Sequence, residues 1–347
     1  MRSRLLSDLI ELGAGSIRRM DCIIAIELTT IPSQKLILER IQIAQKLYPE
    51  TNKFPVFLNT YHSLEEFSLV PLQDKFQLEL GIIHEKTLAL KMSHYLGDAL
   101  SMLLFLEVLL TGHGIEGEIA YRKLPPKKDS PYRNVLPTKG WMNHLAVTDK
   151  RQFITLTLTH PELPEGLVLN DILSLALLRS LPHRAKALWI PVNVRKIFWQ
   201  GFGNGLSRMR LYPSRKKITL REELKHIRRQ KIEAFHSGEV ALPPLTLNLT
   251  PLNQKLLKLW LNRPWADWGT ISLSHLEDRL NRFRGIKTLY GITNLHEKHH
   301  GGIFAFTKDN QTYVTLTFDE TVARKDAQEL LDKFQSEFQE ILHELDS

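Results

Sequence analysis

The stretch SHYLGDA, residues 93–99, separates an apolar strand pattern from an apolar helix pattern. The strand is predicted over 87–92 and the helix over 100–110. His94 and Asp98 therefore stand at the turn between the two elements. A neutral imidazole accepts a proton near working pH, so His94 is a candidate general base. A histidine and an aspartate at this spacing occur too often by chance to identify a function, and the rest of the chain must supply the context.

Composition places the chain among globular proteins. It has 347 residues, of which 43% are hydrophobic and 24% are charged, and this length suits two domains or two lobes of one unit. The single cysteine, Cys22, excludes an internal disulfide framework and is typical of a reducing compartment. It lies in an apolar run, which predicts a buried structural thiol.

Basic residues exceed acidic ones, and the net charge is +8. The basic residues are concentrated at 122–128 and 208–231. Such a surface attracts anionic partners, although a solvated helix face explains the second cluster equally well. The sequence has no nucleic-acid recognition motif and no aromatic stacking pattern beside these charges, so nucleic acid is the weaker candidate partner.

The apolar segments are short. None reaches the roughly 20 residues that a membrane span requires, and Asp8 and Glu11 interrupt the segment where a secretory signal would need continuity. We therefore expect a soluble, cytoplasmic protein. Residues 252–268 contain three tryptophans and could rest on a membrane surface, line a hydrophobic channel or pack on the core as an amphipathic helix.

Strand and helix patterns are mixed in both halves of the chain, which predicts an α/β architecture. The other predicted strands cover 20–28, 76–80, 153–159, 187–194, 271–273, 302–307 and 313–318. The other predicted helices are one that follows an N-cap at Ser33, one at 172–181 capped by Asn170-Asp171, and those at 220–235 and 321–345. Residues 116–145 indicate a linker, so we divide the chain into an N-terminal lobe at 1–115 and a C-terminal lobe at 146–347.

Two local clusters carry weaker signals. His296, His299 and His300 lack nearby cysteines or a matching helical pair, so a polar loop is preferred to a metal site. Residues 201–205 contain three glycines without the spacing of a phosphate-binding loop. We therefore expect neither a metal nor a bound cofactor.

The stretch at 93–99 resembles the HHxxxDG signature of the superfamily that contains chloramphenicol acetyltransferase, the condensation domains of peptide synthetases, bacterial wax-ester synthases and plant HxxxD acyltransferases. Four later segments resemble further motifs of that superfamily in the same order. They are VLNDIL at 168–173 (a T-x-N-D-x-L helix), WIPVNVR at 189–195 (a P-V-N-x-R strand), GFGNG at 201–205 (a G-N segment) and ISLSHL at 271–276 (an S-N strand). The similarity in order and spacing extends over nearly the whole chain.

The resemblance implies a fold of two similar subdomains, each a mixed sheet flanked by helices, with a tunnel between them. It also implies that His94 is the catalytic base and that Ser274, or Ser272 on the same strand, donates a hydrogen bond to an oxyanion. The alternative is that both serines are ordinary strand residues. The resemblance assigns Asp98 a structural role, in an ion pair with Arg195.

Other motif positions flank this site. They are occupied by Ser93, Gly97 and Asn193. Three residues depart from the superfamily pattern, because Ser93 replaces the first histidine, Ala99 the glycine, and His275 the asparagine. Plant members also lack the first histidine, so that departure is compatible with activity. Together the departures leave open a degenerate module that binds a carrier protein or ligand without catalysis.

The function implied by the resemblance is acyl transfer. The acyl group would move from the thioester of coenzyme A or of an acyl carrier protein to a hydroxyl or an amine, with O-acylation ranked ahead of amide formation. The thioester is a co-substrate, and the basic run at 208–231 is a candidate surface for coenzyme A phosphates or the acidic face of a carrier protein. The alternatives are the non-catalytic binding module and, more weakly, a nucleic-acid binder that depends on net charge.

Overall fold

The computed structural model describes residues 4–5, 21–52, 54–72, 77–94, 96–114, 150–182, 187–193, 206–214, 216–236, 244–245, 271–277, 285–293 and 301–346. The predicted linker at 116–145 and the tryptophan-rich segment at 252–268 lie outside these residues. The division of the chain at the linker therefore stays a prediction. The described strands form two mixed sheets and one short pair, β1 (Arg4–Leu5) with β9 (Pro244–Leu245).

In the described ranges, the first sheet combines four strands from the N-terminal half of the chain with one strand from the C-terminal half. In the described ranges its strands are β2 (Asp21–Leu28), β3 (Val56–Tyr61), β4 (Leu78–Ile83), β5 (Thr87–Ser93) and β11 (Ile286–Ile292). Their spatial order is β11-β2-β5-β4-β3, and β3 runs parallel to β4 while the other pairs are antiparallel. Because β11 comes from the C-terminal half, the membership of this sheet does not follow the order of the sequence.

The second sheet is built from the C-terminal half. In the described ranges its strands are β6 (Arg151–Thr159), β7 (Leu188–Asn193), β8 (Leu206–Leu211), β10 (Ile271–Glu277), β12 (Gly301–Lys308) and β13 (Gln311–Asp319). Their order is β6-β13-β12-β10-β7-β8, and β10 runs parallel to both of its neighbours.

Helices flank both sheets. They are α1 (Gln34–Leu47), α2 (Leu64–Leu69) and α3 (Ala99–Thr111) in the first lobe, and α4 (Leu169–Ser180), α5 (Leu220–His236) and α6 (Arg324–Asp346) in the second. Ser33 caps α1 as predicted, since its hydroxyl accepts the Leu36 N–H at 3.3 Å, and Gly112 ends α3 with a φ of 79°. Two mixed sheets flanked by helices confirm the predicted α/β fold class.

The boundaries of several elements differ from the predictions. The prediction of an Asn170-Asp171 cap is wrong: α4 begins at Leu169, Val168 takes the N-cap position without a side-chain hydrogen bond, and the two polar side chains bind other elements instead. The strand predicted at 76–80 is β4, and β10 continues past its predicted end to Glu277. The elements β1, β3, β8, β9, β11 and α2 were not predicted.

Each lobe has its own hydrophobic core. In the second lobe, one face of the sheet packs against α4, α5 and α6, with buried members such as Leu173, Ile227, Leu273, Ile303 and Phe334. In the first lobe, α1 and α3 pack on the sheet, with buried members such as Ile26, Ile41, Leu90, Phe105 and Leu289. Phe304 and Phe306 alternate along β12 with the inward-facing Ile303, and they join the core of the first lobe. The two lobes thus share apolar contacts across β12.

Gly291 allows β11 to approach the second sheet closely. A Cβ at this position would lie 2.2 Å from the ring of Phe304, so a larger residue would force the ring or the strand to move. The ring therefore occupies the space that the missing side chain leaves.

A buried ion pair stabilises the first sheet. The Lys91 ammonium lies 3.3 Å from the Glu79 carboxylate and also donates to the carbonyl oxygens of Phe67 and Val70, the second at 2.7 Å. The Tyr61 hydroxyl donates to Glu79, and burial together with this hydrogen bond raises the pKa of Tyr61 to about 12. The cluster fixes α2 against β4 and β5.

A second buried ion pair joins the two sheets. Arg151 begins β6 and Asp21 begins β2, and their side chains are only 5% and 3% exposed. The Nη2 of Arg151 lies 3.1 Å from Oδ2 of Asp21, and its Nη1 donates to the carbonyl oxygens of Asp21 and, at 3.3 Å, of Thr293 after β11. One guanidinium at the start of a strand of the second sheet therefore binds two strand ends of the first sheet.

The burial of Cys22 and the absence of a membrane-spanning helix, both expected from the sequence, can be compared with the described residues. Cys22 is half-buried in β2 beside the core of the first lobe, which is less enclosed than the buried thiol that the sequence predicts. No helix in the described part of the chain has the length and apolar composition that a membrane crossing requires.

We expect Arg151→Met to lower the free energy of unfolding by about 3–5 kcal/mol, because Asp21 would become a buried carboxylate without its cation. The double variant Asp21→Asn/Arg151→Met should recover part of this loss, since neither charge then remains buried. Urea unfolding of the variants measures both effects.

The neighbouring Lys150→Met is the matched control for this prediction. Lys150 pairs with Glu320 at 3.6 Å but is 73% exposed, so its loss should change stability by less than about 1 kcal/mol. The single variant Asp21→Asn completes the comparison. If Asp21→Asn/Arg151→Met lost as much unfolding free energy as Asp21→Asn and Arg151→Met lose in sum, the inference that the ion pair is the source of the effect would be wrong.

Candidate active site

His94 lies in the turn that follows β5. Ser93, the last residue of that strand, is buried and pairs with Asp21 of β2. Its carbonyl oxygen accepts the Leu96 N–H at 2.9 Å, which closes the turn. His94 is half-buried in this turn.

Asp98 and Gly97 set the shape of this turn. Asp98 is fully buried at the N-cap of α3, where its Oδ1 accepts the Ser101 N–H at 3.0 Å. A Cβ at Gly97 would lie 2.8 Å from the Cβ of Ser101 and 2.9 Å from the Cε of Met92, so only glycine fits without a shift. The cap is a structural role for Asp98. Its ion pair with Arg195 stays a prediction, because Arg195 lies outside the described residues.

The Arg151–Asp21 ion pair lies between the turn that carries His94 and the strands β10 and β12 that carry or border the candidate serines. On one side, Asp21 pairs with Ser93, the residue before the candidate base. On the other side, Arg151 donates to the carbonyl oxygen of Thr293. The Thr293 hydroxyl in turn lies close to Gly302, where a Cβ would be 2.5 Å from its Oγ1. The contacts thus connect the end of β5 with the start of β12.

The candidate serines lie on the face of β10 that is opposite the second core. They alternate with Ile271 and Leu273, which are buried in that core. Ser272 pairs with Gly302, which lies close to Thr293 and so to the Arg151–Asp21 ion pair. Ser274 lies two residues further along β10. Ser274 is half-buried, and its hydroxyl makes no hydrogen bond with the residues that the structure describes. Either hydroxyl is therefore a candidate donor.

His275 turns to the other face of β10 and is held by two hydrogen bonds. Asn170 lies with its Nδ2 3.3 Å from Nδ1 of the ring, and Thr307 has its Oγ1 2.9 Å from Nε2. Lys231 donates to Oδ1 of Asn170, which fixes the orientation of the amide. The Nδ1 of His275 is therefore the acceptor, and Nε2 carries the proton and donates to Thr307. This neutral ring has no nitrogen left for a second proton.

Two cations of α5 bind one buried carboxylate of α4. The Nζ of Lys231 lies 2.7 Å from Oδ1 of Asp171, and the Nε of Arg228 lies 3.0 Å from Oδ2. These bonds fix the charged helix on the first turn of α4. Sequence reasoning missed the contact because it assigned Asp171 to a cap. The available signal was that Arg228 and Lys231 are three residues apart and so share a helix face.

Other predicted site residues have partial descriptions or none. Asn193 ends β7 and its main chain pairs with Leu206, but its side chain is outside the described part. The glycine segment at 201–205 also lies outside it. The described ranges hold no group of three or more His, Cys, Asp or Glu residues arranged to hold a metal ion.

We expect Asp98→Ala to destabilise the protein by about 1 kcal/mol more than Asp98→Asn, because only the asparagine retains an acceptor at the N-cap. Both variants remove the negative charge that the predicted pair with Arg195 would use, so their difference isolates the cap. Thermal unfolding measures it. Equal melting temperatures for the two variants would contradict a capping role, and wild-type melting with complete loss of activity would contradict any structural role.

We expect His275 to make stability depend on pH in mild acid. Its pKa is lowered to about 3, chiefly by burial and in addition by the nearby Lys231 and His160. Because this value lies below the ordinary 6.5, the neutral ring favours folding: the contribution is complete above pH 6.5 and is lost as the pH falls towards 3. His275→Asn should therefore reduce the loss of unfolding free energy between about pH 7 and about pH 5.

The matched control for this pH dependence is His113→Asn, since His113 is exposed. It should retain the wild-type dependence of urea unfolding on pH. If His275→Asn also retained it, the inference about the buried ring would be wrong.

Solved structures of low sequence identity share this fold. The starter condensation domain of rhizomide synthetase RzmA, solved with C8-CoA and Leu-SNAC, matches with a TM-score of 0.67 and 8% identity over 100% of this chain and 94% of that chain. The wax ester synthase/diacylglycerol acyltransferase from Marinobacter aquaeolei VT8 matches with a TM-score of 0.57 and 14% identity over 100% of both chains. The nonribosomal peptide synthetase FmoA3 matches with a TM-score of 0.62 and 13% identity over 98% of this chain, which spans 44% of the FmoA3 chain.

No family model and no curated protein matches the sequence. The structural matches therefore establish the fold, and the order of the five motifs agrees with it. The chain has the two-lobed chloramphenicol acetyltransferase-like fold that condensation domains and wax ester synthases share.

Proposed function

We propose that the protein transfers an acyl group from the thioester of coenzyme A or an acyl carrier protein to a hydroxyl or an amine. The observation that carries the proposal is the position of His94. It is a half-buried imidazole in a turn whose shape is fixed by the Asp98 cap, beside the ion pair that joins the two sheets. The fold supports acyl transfer in general, because a wax ester synthase and a starter condensation domain solved with C8-CoA share it.

In the proposed reaction His94 takes a proton from the acceptor. The acceptor oxygen or nitrogen attacks the thioester carbonyl carbon as the imidazole removes its proton. The resulting tetrahedral oxyanion collapses, the carbon–sulfur bond breaks, and the imidazolium returns the proton to the departing thiolate. No oxidant, metal or bound cofactor takes part in this sequence.

Ser274 is the proposed donor to the oxyanion. Its hydroxyl is not engaged by a described residue, and it lies on the face of β10 away from the second core. Ser272 on the same face is the second candidate, because it pairs with Gly302, the neighbour of Thr293, whose carbonyl oxygen Arg151 binds. A donor of this kind accelerates reaction because it bonds the developing charge more strongly than the ground-state carbonyl.

The donor and acceptor are proposed from the structural neighbours. C8-CoA is bound in the RzmA structure, and the FmoA3 match is to a peptide synthetase. A hydroxyl acceptor is ranked ahead of an amine. Coenzyme A phosphates or an acidic carrier surface would meet the basic residues between 208 and 231.

The second candidate function is a module that binds a carrier protein or a thioester without turnover. The observation in its favour is His275, which replaces the asparagine of the superfamily pattern. Its ring is bonded to Asn170 and Thr307 on the helix side of the sheet. Because the His275 side chain is bonded to Asn170 and Thr307, it would not contact the reacting groups, and the site could hold a ligand without completing the reaction.

We expect the purified protein to release free thiol from acyl-CoA or acyl-carrier thioesters when an alcohol or amine acceptor is present, and His94→Ala to lower kcat/KM by about 10²–10⁴-fold. Ser274→Ala should lower it by about 10²–10³-fold if that hydroxyl meets the oxyanion, because the donor is lost at the transition state. A colorimetric thiol assay and intact-mass detection of the acylated acceptor measure the reaction.

Two variants act as controls for this assay. His113→Ala changes an exposed histidine that follows the opposite end of α3 from the turn, and it should retain full activity. Ser272→Ala tests which serine is the donor. A His94→Ala enzyme with full activity would refute the catalytic proposal, whereas thioester binding without turnover in the wild-type protein would favour the binding module.

A further inference from the structure

A cleft of about 300 Å³ lies in the second lobe between the first turn of α4, one face of α5 and the end of α6. The loop that precedes α4 closes one side of it. Its volume is at the lower end of the range for small-molecule sites. The cleft shares no lining residue with the candidate active site around His94 and Ser274.

The floor of the cleft is apolar. Its aliphatic lining residues are Leu167, Val168, Ile172, Leu224 and Leu345. Ile172 and Leu224 are buried in the second core, while Leu167 and Leu345 are partly buried against it. A hydrocarbon group placed here would therefore lie on an apolar surface and would be removed from water.

The rim of the cleft is cationic. Arg221, Lys225 and Arg228 line it, at positions of α5 that fall on one helix face. Arg228 is bonded to Asp171. Arg221 and Lys225 are exposed, and neither forms an ion pair with a residue in the described ranges.

The acidic groups that line the cleft do not neutralise this rim, and Glu222, which interacts with Lys225, is exposed and does not line it. The lining contains two acids, Glu165 and Asp171. Asp171 is already bonded to Arg228 and to Lys231 behind the cleft, and Glu165 is exposed in the loop. The excess positive charge therefore comes from Arg221 and Lys225.

Two local features add to the preference for an anion. Arg221 stands in the first turn of α5, where the positive end of the helix disfavours a cation, and an anionic ligand would relieve that repulsion. The N-terminus of α4 also meets the cleft at Val168, which supplies no side-chain cap.

We propose that this cleft binds an amphipathic anion, a carboxylate with a short apolar tail. Arg221 and Lys225 would hold the acidic group at the rim, and the tail would cover the floor formed by Leu224 and Leu345. The site requires no chemistry, and it does not depend on acyl transfer at His94. The proposal is therefore tested by binding alone.

The test is isothermal titration calorimetry of the full chain with four probes: octanoate, acetate, inorganic phosphate and octanol. We expect octanoate to bind at least about tenfold more tightly than each of the other three, because only octanoate combines the charge with the tail. Its affinity should fall as salt is raised, since the rim cations are exposed. Phosphate that bound as tightly as octanoate, or octanol that did so, would overturn the proposal.

The site is located with matched variants. Arg221→Ala/Lys225→Ala should weaken octanoate binding at least about tenfold. The control Lys216→Ala/Arg229→Ala removes the same charge from exposed positions that do not line the cleft, and it should leave binding unchanged. Equal weakening by both double variants would show a general charge effect and would overturn the assignment.

A further variant separates the tail from the charge. Leu345→Ser should weaken octanoate binding while leaving the weak binding of acetate unchanged, because it alters the floor alone. Octanoate binding that survived both Leu345→Ser and Arg221→Ala/Lys225→Ala would place the ligand elsewhere and would refute this site. The thiol-release test of His94 is made with Arg221 and Lys225 unchanged, so the outcome of each test is read independently.

Discussion

The ion pair between Arg151 and Asp21 is the interaction on which the arrangement of the two lobes depends. Both charges are buried, and a buried charge is tolerated only when its partner and its remaining donors are satisfied. The guanidinium of Arg151, at the start of β6 in the second sheet, bonds the Asp21 carboxylate and the carbonyl oxygens of Asp21 and Thr293, which lie at strand ends of the first sheet. Because Asp21 is the neighbour of Ser93 in the sheet, the same contacts also position the turn that carries His94. The same buried ion pair therefore stabilises the association of the lobes and the position of His94.

The sequence predicts the elements around this turn because their signals are local. The apolar run of β5, the glycine in the turn and the aspartate before α3 each act within a few residues, and the structure contains all three. The Asp21–Arg151 partnership has no such signal, since the two residues are 130 positions apart. A charged residue at the start of an apolar strand is as consistent with solvent exposure as with burial. Only the folded sheet distinguishes the two.

The first turn of α4 shows how a tertiary contact overrides a local preference. Asn170 and Asp171 are residue types that cap helices, yet Lys231 bonds both of them and Arg228 bonds the second. A buried carboxylate with two cations is more strongly held than one with a single main-chain N–H, so the helix begins earlier without a side-chain cap. The same network reaches His275 through the Asn170 amide. The His275 ring is thus held in the sheet by an amide from the first turn of α4.

The exchange of β11 into the first sheet has a consequence for biosynthesis. On the ribosome, β2 emerges early, but the strand that covers its outer edge begins at Ile286. At typical elongation rates the intervening residues take on the order of tens of seconds to translate. Throughout that interval a strand rich in isoleucine presents unpaired main-chain groups, which is the condition that favours illegitimate pairing with other nascent chains. Chaperone protection of the nascent polypeptide would be needed most during this delay, and a transcript truncated before β11 would yield a product that never loses the exposed edge.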